Sequence, residues 1–103
     1  MKPAVKRKWC KALKSGKFRQ TQETLEEKAE HQGHKKYCCL GVLRCLMPDN
    51  LKTKSLANEG DMLSNSQLRW AGLTDSQQES LANMNDEYEY RFAKIARIIQ
   101  KDF

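Results

Sequence analysis

No apolar run in this 103-residue chain approaches the length of a membrane-spanning helix; the longest, around Cys38–Val42, is only a handful of residues. The N-terminus is charged from Lys2 onward and has no apolar core region, so no signal peptide is expected. The chain is too short for a barrel or a dinucleotide-binding scaffold. It carries no internal repeat, low-complexity tract or linker, so residues 1–103 read as a single domain. Paired carboxylates, a Ser/His/Asp set and a phosphate loop are all missing, and the expectation is a protein that is not an enzyme and needs no cofactor. Residues 1–19 also lack any Asp or Glu.

What the chain does contain is near the globular average: 39% hydrophobic and 31% charged residues, which argues against wholesale disorder. The formal net charge is +6, and the excess is concentrated. Lys2, Lys6, Arg7, Lys8, Lys11, Lys14, Lys17 and Arg19 fill the acid-free opening stretch, whereas in residues 20–30 Glu23, Glu26, Glu27 and Glu30 face only Lys28. A one-signed helix makes a positive field that attracts phosphates, nucleic acid or an acidic protein surface. It equally serves as a solvated face that keeps a small protein soluble. Without aromatic residues interleaved among the cations, nucleic acid is weakly supported as a partner.

Of the four cysteines, Cys10, Cys38, Cys39 and Cys45, two are adjacent. With no secretory signal, reduced thiols in a cytoplasm fit better than a disulfide framework. His31, His34, Cys38 and Cys39 offer imidazole and thiolate, which is zinc chemistry, but His31-x2-His34-x3-Cys38 follows no zinc grammar and there is no Cys-x2-Cys knuckle, so no metal site is assigned. A reactive thiolate at Cys38 or Cys39 would require a helix N-terminus or a nearby cation.

Pro3, the face of Val5, Trp9, Ala12 and Leu13, and Gly16 predict a helix over 3–15. Lys17–Gln22 reads as a short strand, with His34–Cys38 returning to form a two-stranded hairpin. Cys39, Val42, Leu43 and Leu46 share the face of a buried helix that is closed by Pro48-Asp49-Asn50. Gly41 inside it fits a place where another backbone, or a ligand, passes close. Residues 51–60 lack periodicity and read as a flap-like loop. Ser64 caps a short helix ended by Gly72, and Thr74 or Asp75 caps the next. Asp86 with Glu89 has the form of a capping box for a last helix, whose face is Phe92, Ile95, Ala96 and Ile99. The expected fold is α+β: a small, mostly helical single domain of about four helices with a short two-stranded β-hairpin.

An ordered set of short motifs runs through the chain. They are Trp9-x2-Ala12-Leu13-x-Ser15-Gly16-x-Phe18-x-Gln20, Tyr37-Cys38-Cys39-Leu40-Gly41-Val42-Leu43, Trp70-Ala71-Gly72-Leu73, Leu81-Ala82-x-Met84-Asn85-Asp86 and Phe92-x2-Ile95-Ala96. In this the chain resembles small proteins encoded by tailed phages and prophages. Those relatives often carry a Cys-Asp pair where this chain has Arg44-Cys45, and the acidic 21–33 stretch is unlike their short, more basic hairpin. The resemblance implies a phage protein in the host cytoplasm and supplies no reaction.

Accessory phage proteins of this size typically act by binding, which implies an anti-defence role. In the first form, the protein sequesters a small nucleotide-derived signal. Gln20, the Cys38–Gly41 turn (Cys38, Cys39 and Gly41), Trp70, Asn85 and Asp86 would converge on one pocket, and Arg19, Lys36 or Arg44 would hold phosphate. Each residue also has a structural use: Gln20 and Asn85 can satisfy buried backbone groups, Asp86 can cap a helix, and Trp70 can be core. In the alternative form, the protein is an inhibitor that docks on a host protein or nucleoprotein through its basic first helix. Apolar residues outside the helical faces are consistent with a homo-oligomer.

Overall fold

In the computed structural model the described residues are 1–22, 25–27, 35–52 and 62–103. Helix α1 (Pro3–Lys14) begins at the proline, where the missing N–H costs nothing, and ends with Lys11 and Lys14 in its last turn, where the carbonyl ends favour cations. Gly16 follows with φ +78°, the left-handed conformation that stops the chain from continuing as helix. One face of α1 buries Trp9, Cys10 and Leu13.

Three two-residue strands follow: β1 (Arg19–Gln20), β2 (Glu26–Glu27) and β3 (Lys36–Tyr37). The central strand is β3. It pairs with β1 in parallel, Arg19 opposite Lys36 and Gln20 opposite Tyr37, and with β2 antiparallel. The expected hairpin is therefore corrected: the strand at 36–37 runs alongside the first in the same direction. Parallel partners need a connection of a dozen or more residues, which 21–35 provides, and β2 arises within it and takes the antiparallel place.

Helix α2 (Cys39–Cys45) starts directly after β3, and Cys39, Leu40, Gly41, Val42 and Leu43 are all buried. Five buried residues in a row place the first turn and a half of this helix at the centre of the core, with Arg44 and Cys45 at its edge. The glycine within it has the reason expected from the sequence: a Cβ on Gly41 would overlap the carbonyl of Leu25, so a backbone passes close there. Pro48 and Asp49 do follow the end of α2, but Asp49 and Asn50 also open a one-turn helix, α3 (Asp49–Lys52), within the span expected to be loop. The rest of that proposed flap, 53–60, lies outside the described residues.

Ser64 and Thr74 each cap a helix by a complete capping box. Ser64 Oγ accepts from Gln67 N, and Gln67 Oε1 accepts from Ser64 N; Thr74 and Gln77 repeat the arrangement. They open α4 (Asn65–Ala71), closed by left-handed Gly72, and α5 (Asp75–Asp86). Helix α6 (Phe92–Asp102) buries Phe92, Ile95, Ala96 and Ile99, the expected face. Its N-cap is Arg91, and Asp86 belongs to the end of α5. The expected Asp86–Glu89 capping box is thus overturned, and Glu89 instead takes the left-handed conformation in the link, with φ +51°. Six helices are present among the described residues rather than about four, and the α+β, mostly helical class holds.

The core is organised around α2. The interface of α1 with α6 is the largest between helices, and α2 packs on α1 and α5. Trp9 is fully buried, and its indole N–H donates to Cys39 O at 2.9 Å. The thiols of Cys10 and Cys39 point at the carbonyls of Ala96 and Leu81, at 3.5 and 3.6 Å. Among the described residues no helix is long and apolar enough to cross a membrane.

Candidate functional site

The sequence reading places Gln20, Cys38, Cys39, Gly41, Trp70, Asn85 and Asp86 in one pocket; the fold brings Gln20, the start of α2, Asn85 and Asp86 together, whereas Gly41 and Trp70 line other clefts. Asn85 sits in the last turn of α5 with no exposed surface. Its Oδ1 accepts from Gln20 Nε2 at 2.8 Å and from the backbone N–H of Cys39 at 3.2 Å. Its Nδ2 donates to Thr21 O and to Asp86 Oδ1, both at 2.8 Å. A primary amide offers two donor hydrogens and two acceptor lone pairs, and Asn85 uses all four. Gln20 spends its second amide hydrogen on Tyr90 O at 2.7 Å. The convergence is therefore a knot that joins β1, the start of α2, α5 and the link to α6. It satisfies groups that burial would otherwise orphan.

The other residues named from the sequence lie apart from this knot. Arg19 and Lys36 are exposed and face each other across the β1–β3 pair. Arg44 donates to Lys52 O at 2.8 Å. With Gly41, Leu25, Glu26, Tyr37 and Cys45 it lines a cleft of about 200 Å³. That is below the range of roughly 300–1,000 Å³ typical of small-molecule pockets. Trp70 is half-buried in a different cleft, beside Ala4, Val5, Lys8 and Leu46.

The cysteines are chemically quiet. Cys38 is the N-cap of α2, where the amides of Gly41 and Leu40 favour a thiolate, yet burial outweighs them and pushes its pKa up to about 11. Burial also raises Cys39 well above the ordinary thiol value and raises Cys10 and Cys45. All four are therefore thiols at neutral pH. Iodoacetamide at pH 7 should leave Cys10, Cys38 and Cys39 unmodified in the native protein, with Cys45, which is half-buried, the first to react; mass spectrometry with and without urea reads this directly. Because the folded chain holds the Cys38 proton to about pH 11 and the unfolded chain releases it near 9, unfolding releases a proton in that window. Stability is accordingly expected to fall as pH rises from 9 to 11. Cys38→Ala should flatten that decline in urea titrations.

Among the described residues no three His, Cys, Asp or Glu side chains gather where they could hold a metal; His31 and His34 lie outside those residues.

Sequence reasoning located the basic helix but missed the surface it builds. Lys8, Lys11 and Lys17, with Ala12, Ser15, Phe18 and Leu46, line an open groove of about 390 Å³. The smaller Trp70 cleft meets it at Lys8 and Leu46. Among the described residues no carboxylate lines either cleft, and none of the three lysines is ion-paired. The spacing of Lys8, Lys11 and Ser15 on one helical face was a usable signal. The arrival of Trp70 from α4 was not.

The class these features define is a small α+β domain with a buried central helix and a cationic, aromatic-flanked groove. Residues 1–60 match the family model described as "Domain of unknown function (DUF8296)", and the chain belongs to that family. The match covers the elements from α1 to α3. No curated protein and no solved structure matches the chain.

Proposed function

We propose that this is a phage-encoded accessory binding protein of the host cytoplasm. In this reading it counters host defence without turnover, docking the basic face of α1 on a polyanionic partner such as a host nucleoprotein. The observation that carries the reading is the lysine-lined groove: three cations line one apolar-floored surface on which, among the described residues, no carboxylate stands. Such a surface steers and orients an anionic partner. The phage setting rests on the motif resemblance. Docking is preferred to sequestering a nucleotide because the amides that a nucleotide pocket would need are spent on the chain's own backbone and side chains.

Immobilised heparin, a generic polyanion, tests the reading. The K8E/K11E/K17E variant should elute at markedly lower salt than the wild-type chain. The K94E/R97E/K101E variant makes the same change in net charge on α6 and should stay close to wild type. Equal losses from the two variants would reduce the effect to net charge and refute a dedicated face.

A further inference from the structure

The two clefts beside α1 combine features that the sequence keeps apart. Lys8, Lys11 and Lys17 form the cationic rim. Val5, Ala12 and Leu46 supply an apolar floor. Trp70 stands at one end, and at the other is Phe18, whose ring is fixed by an edge-to-face contact with Tyr37 (centroids 5.6 Å apart, planes at 76°). From Val5 to Ser15 the helix extends about 15 Å at its usual rise per residue. The fold thus sets Trp70, from a distant helix, beside the lysines and Phe18.

We infer that this groove takes a single strand of nucleic acid, its phosphates along the lysines and its bases against Trp70 and Phe18. The inference rests on the polyanion-docking reading above and names its partner. Three properties of the groove select this occupant. Among the described residues its charge is of one sign and is carried by lysines, which act as point charges for phosphates. Its remaining surface is aromatic and apolar, which suits base faces; a duplex would keep its bases stacked on one another and leave these rings without a partner. Among the described residues its lining also offers almost no hydrogen-bond readout. Its neutral polar side chain, Ser15, already donates to Ala12 O at 2.7 Å and accepts from Lys17 N at 3.1 Å. A peptide partner would leave its backbone polar groups unpaired there, whereas a strand held by charge and stacking needs no such pairing. Binding should therefore be insensitive to sequence.

The test uses the full chain with a fluorescein-labelled oligothymidylate single strand, a duplex of equal length, and heparin retention measured in parallel. The single strand should bind more tightly than the duplex, and its log affinity should fall with log salt at a slope of about −2, the value for three lysine–phosphate contacts on a single strand. Saturating strand should quench tryptophan fluorescence. Trp70→Phe should abolish that quench while keeping most of the affinity, because Trp9, the chain's other tryptophan, is fully buried. Trp70→Ala should weaken binding about tenfold. Should Trp70→Ala lose its helical circular dichroism, the Trp70→Phe quench decides alone. Heparin retention without strand binding, preference for the duplex, or binding with no Trp70-dependent quench would overturn the inference, leave the docking reading standing, and point to an acidic protein surface instead. Loss of both heparin and strand binding would remove the two together.

Discussion

Gly41→Ala is expected to destabilise the domain by about 3 kcal/mol, the upper end for forcing an extra carbon into a packed interior. The obstacle is backbone, not a side chain: the new Cβ would overlap the carbonyl of Leu25, which cannot rotate away. Leu25 is itself buried and leads directly into β2, which pairs with β3 immediately before α2. Relief therefore requires moving either the strand or the helix. The substitution also gains about 1 kcal/mol of helix propensity, so a large net loss isolates the steric term. Gly16→Ala is the control. Gly16 has φ +78° and open space around it, and the change should cost only about 1–2 kcal/mol through the left-handed backbone. Urea midpoints of the two variants against wild type check the ordering; a Gly41→Ala midpoint at or above that of Gly16→Ala would contradict this account.

The same glycine shows what a sequence can reveal. That something passes close to Gly41 was readable from a glycine within an apolar helix; that it is Leu25 was not, because the contact is set by a three-strand arrangement. Elements with local punctuation were the most legible. Pro3 and Gly16 bracket α1, Ser64 and Gly72 bracket α4, and Thr74 opens α5. Each acts through backbone groups within a few residues of itself. The pairing of β1 with β3 has no such local marker: strands of two residues carry almost no alternation to set their register or direction. Asp86 and Glu89 matched a capping pattern by composition alone. The pattern fails because α5 continues through Asp86, placing Asn85 against Cys39 and Thr21.

The candidate site divides in the same way. The fold does bring Gln20, Cys39 and Asn85 together, through hydrogen bonds among themselves. Whether they meet a ligand or one another depends on the last ångström, which composition does not encode. The groove beside α1 was half legible: its lysines share a helical face, but its aromatic ends come from the link after Gly16 and from α4. Joining them is a tertiary event. Its chemistry differs from that of either part, since cations alone attract any anion, whereas cations beside aromatic rings favour exposed bases.

Asn85→Ala is expected to cost about 3–5 kcal/mol. It strips partners from the buried N–H of Cys39, the carbonyl of Thr21 and one amide hydrogen of Gln20, and an unsatisfied buried polar group costs about 1–3 kcal/mol. Asn85→Asp separates the hydrogen bonds from the shape. It keeps the Oδ1 acceptor for Cys39 N and Gln20 Nε2 but puts a carboxylate oxygen against Thr21 O and the Asp86 carboxylate. Burial and that neighbour would hold the new carboxyl's folded pKa above the unfolded value of about 4. An acid raised in the folded state binds its proton more tightly there than in the unfolded chain. The variant should thus be least impaired near pH 4 and lose stability as pH rises through the folded pKa. Wild type, with an amide at that position, should lack this added decline. Urea titrations from pH 4 to pH 8 measure the difference directly. An Asn85→Ala chain with an unchanged midpoint would mean that the knot is dispensable to folding and would return its amides to the list of groups free to hold a ligand.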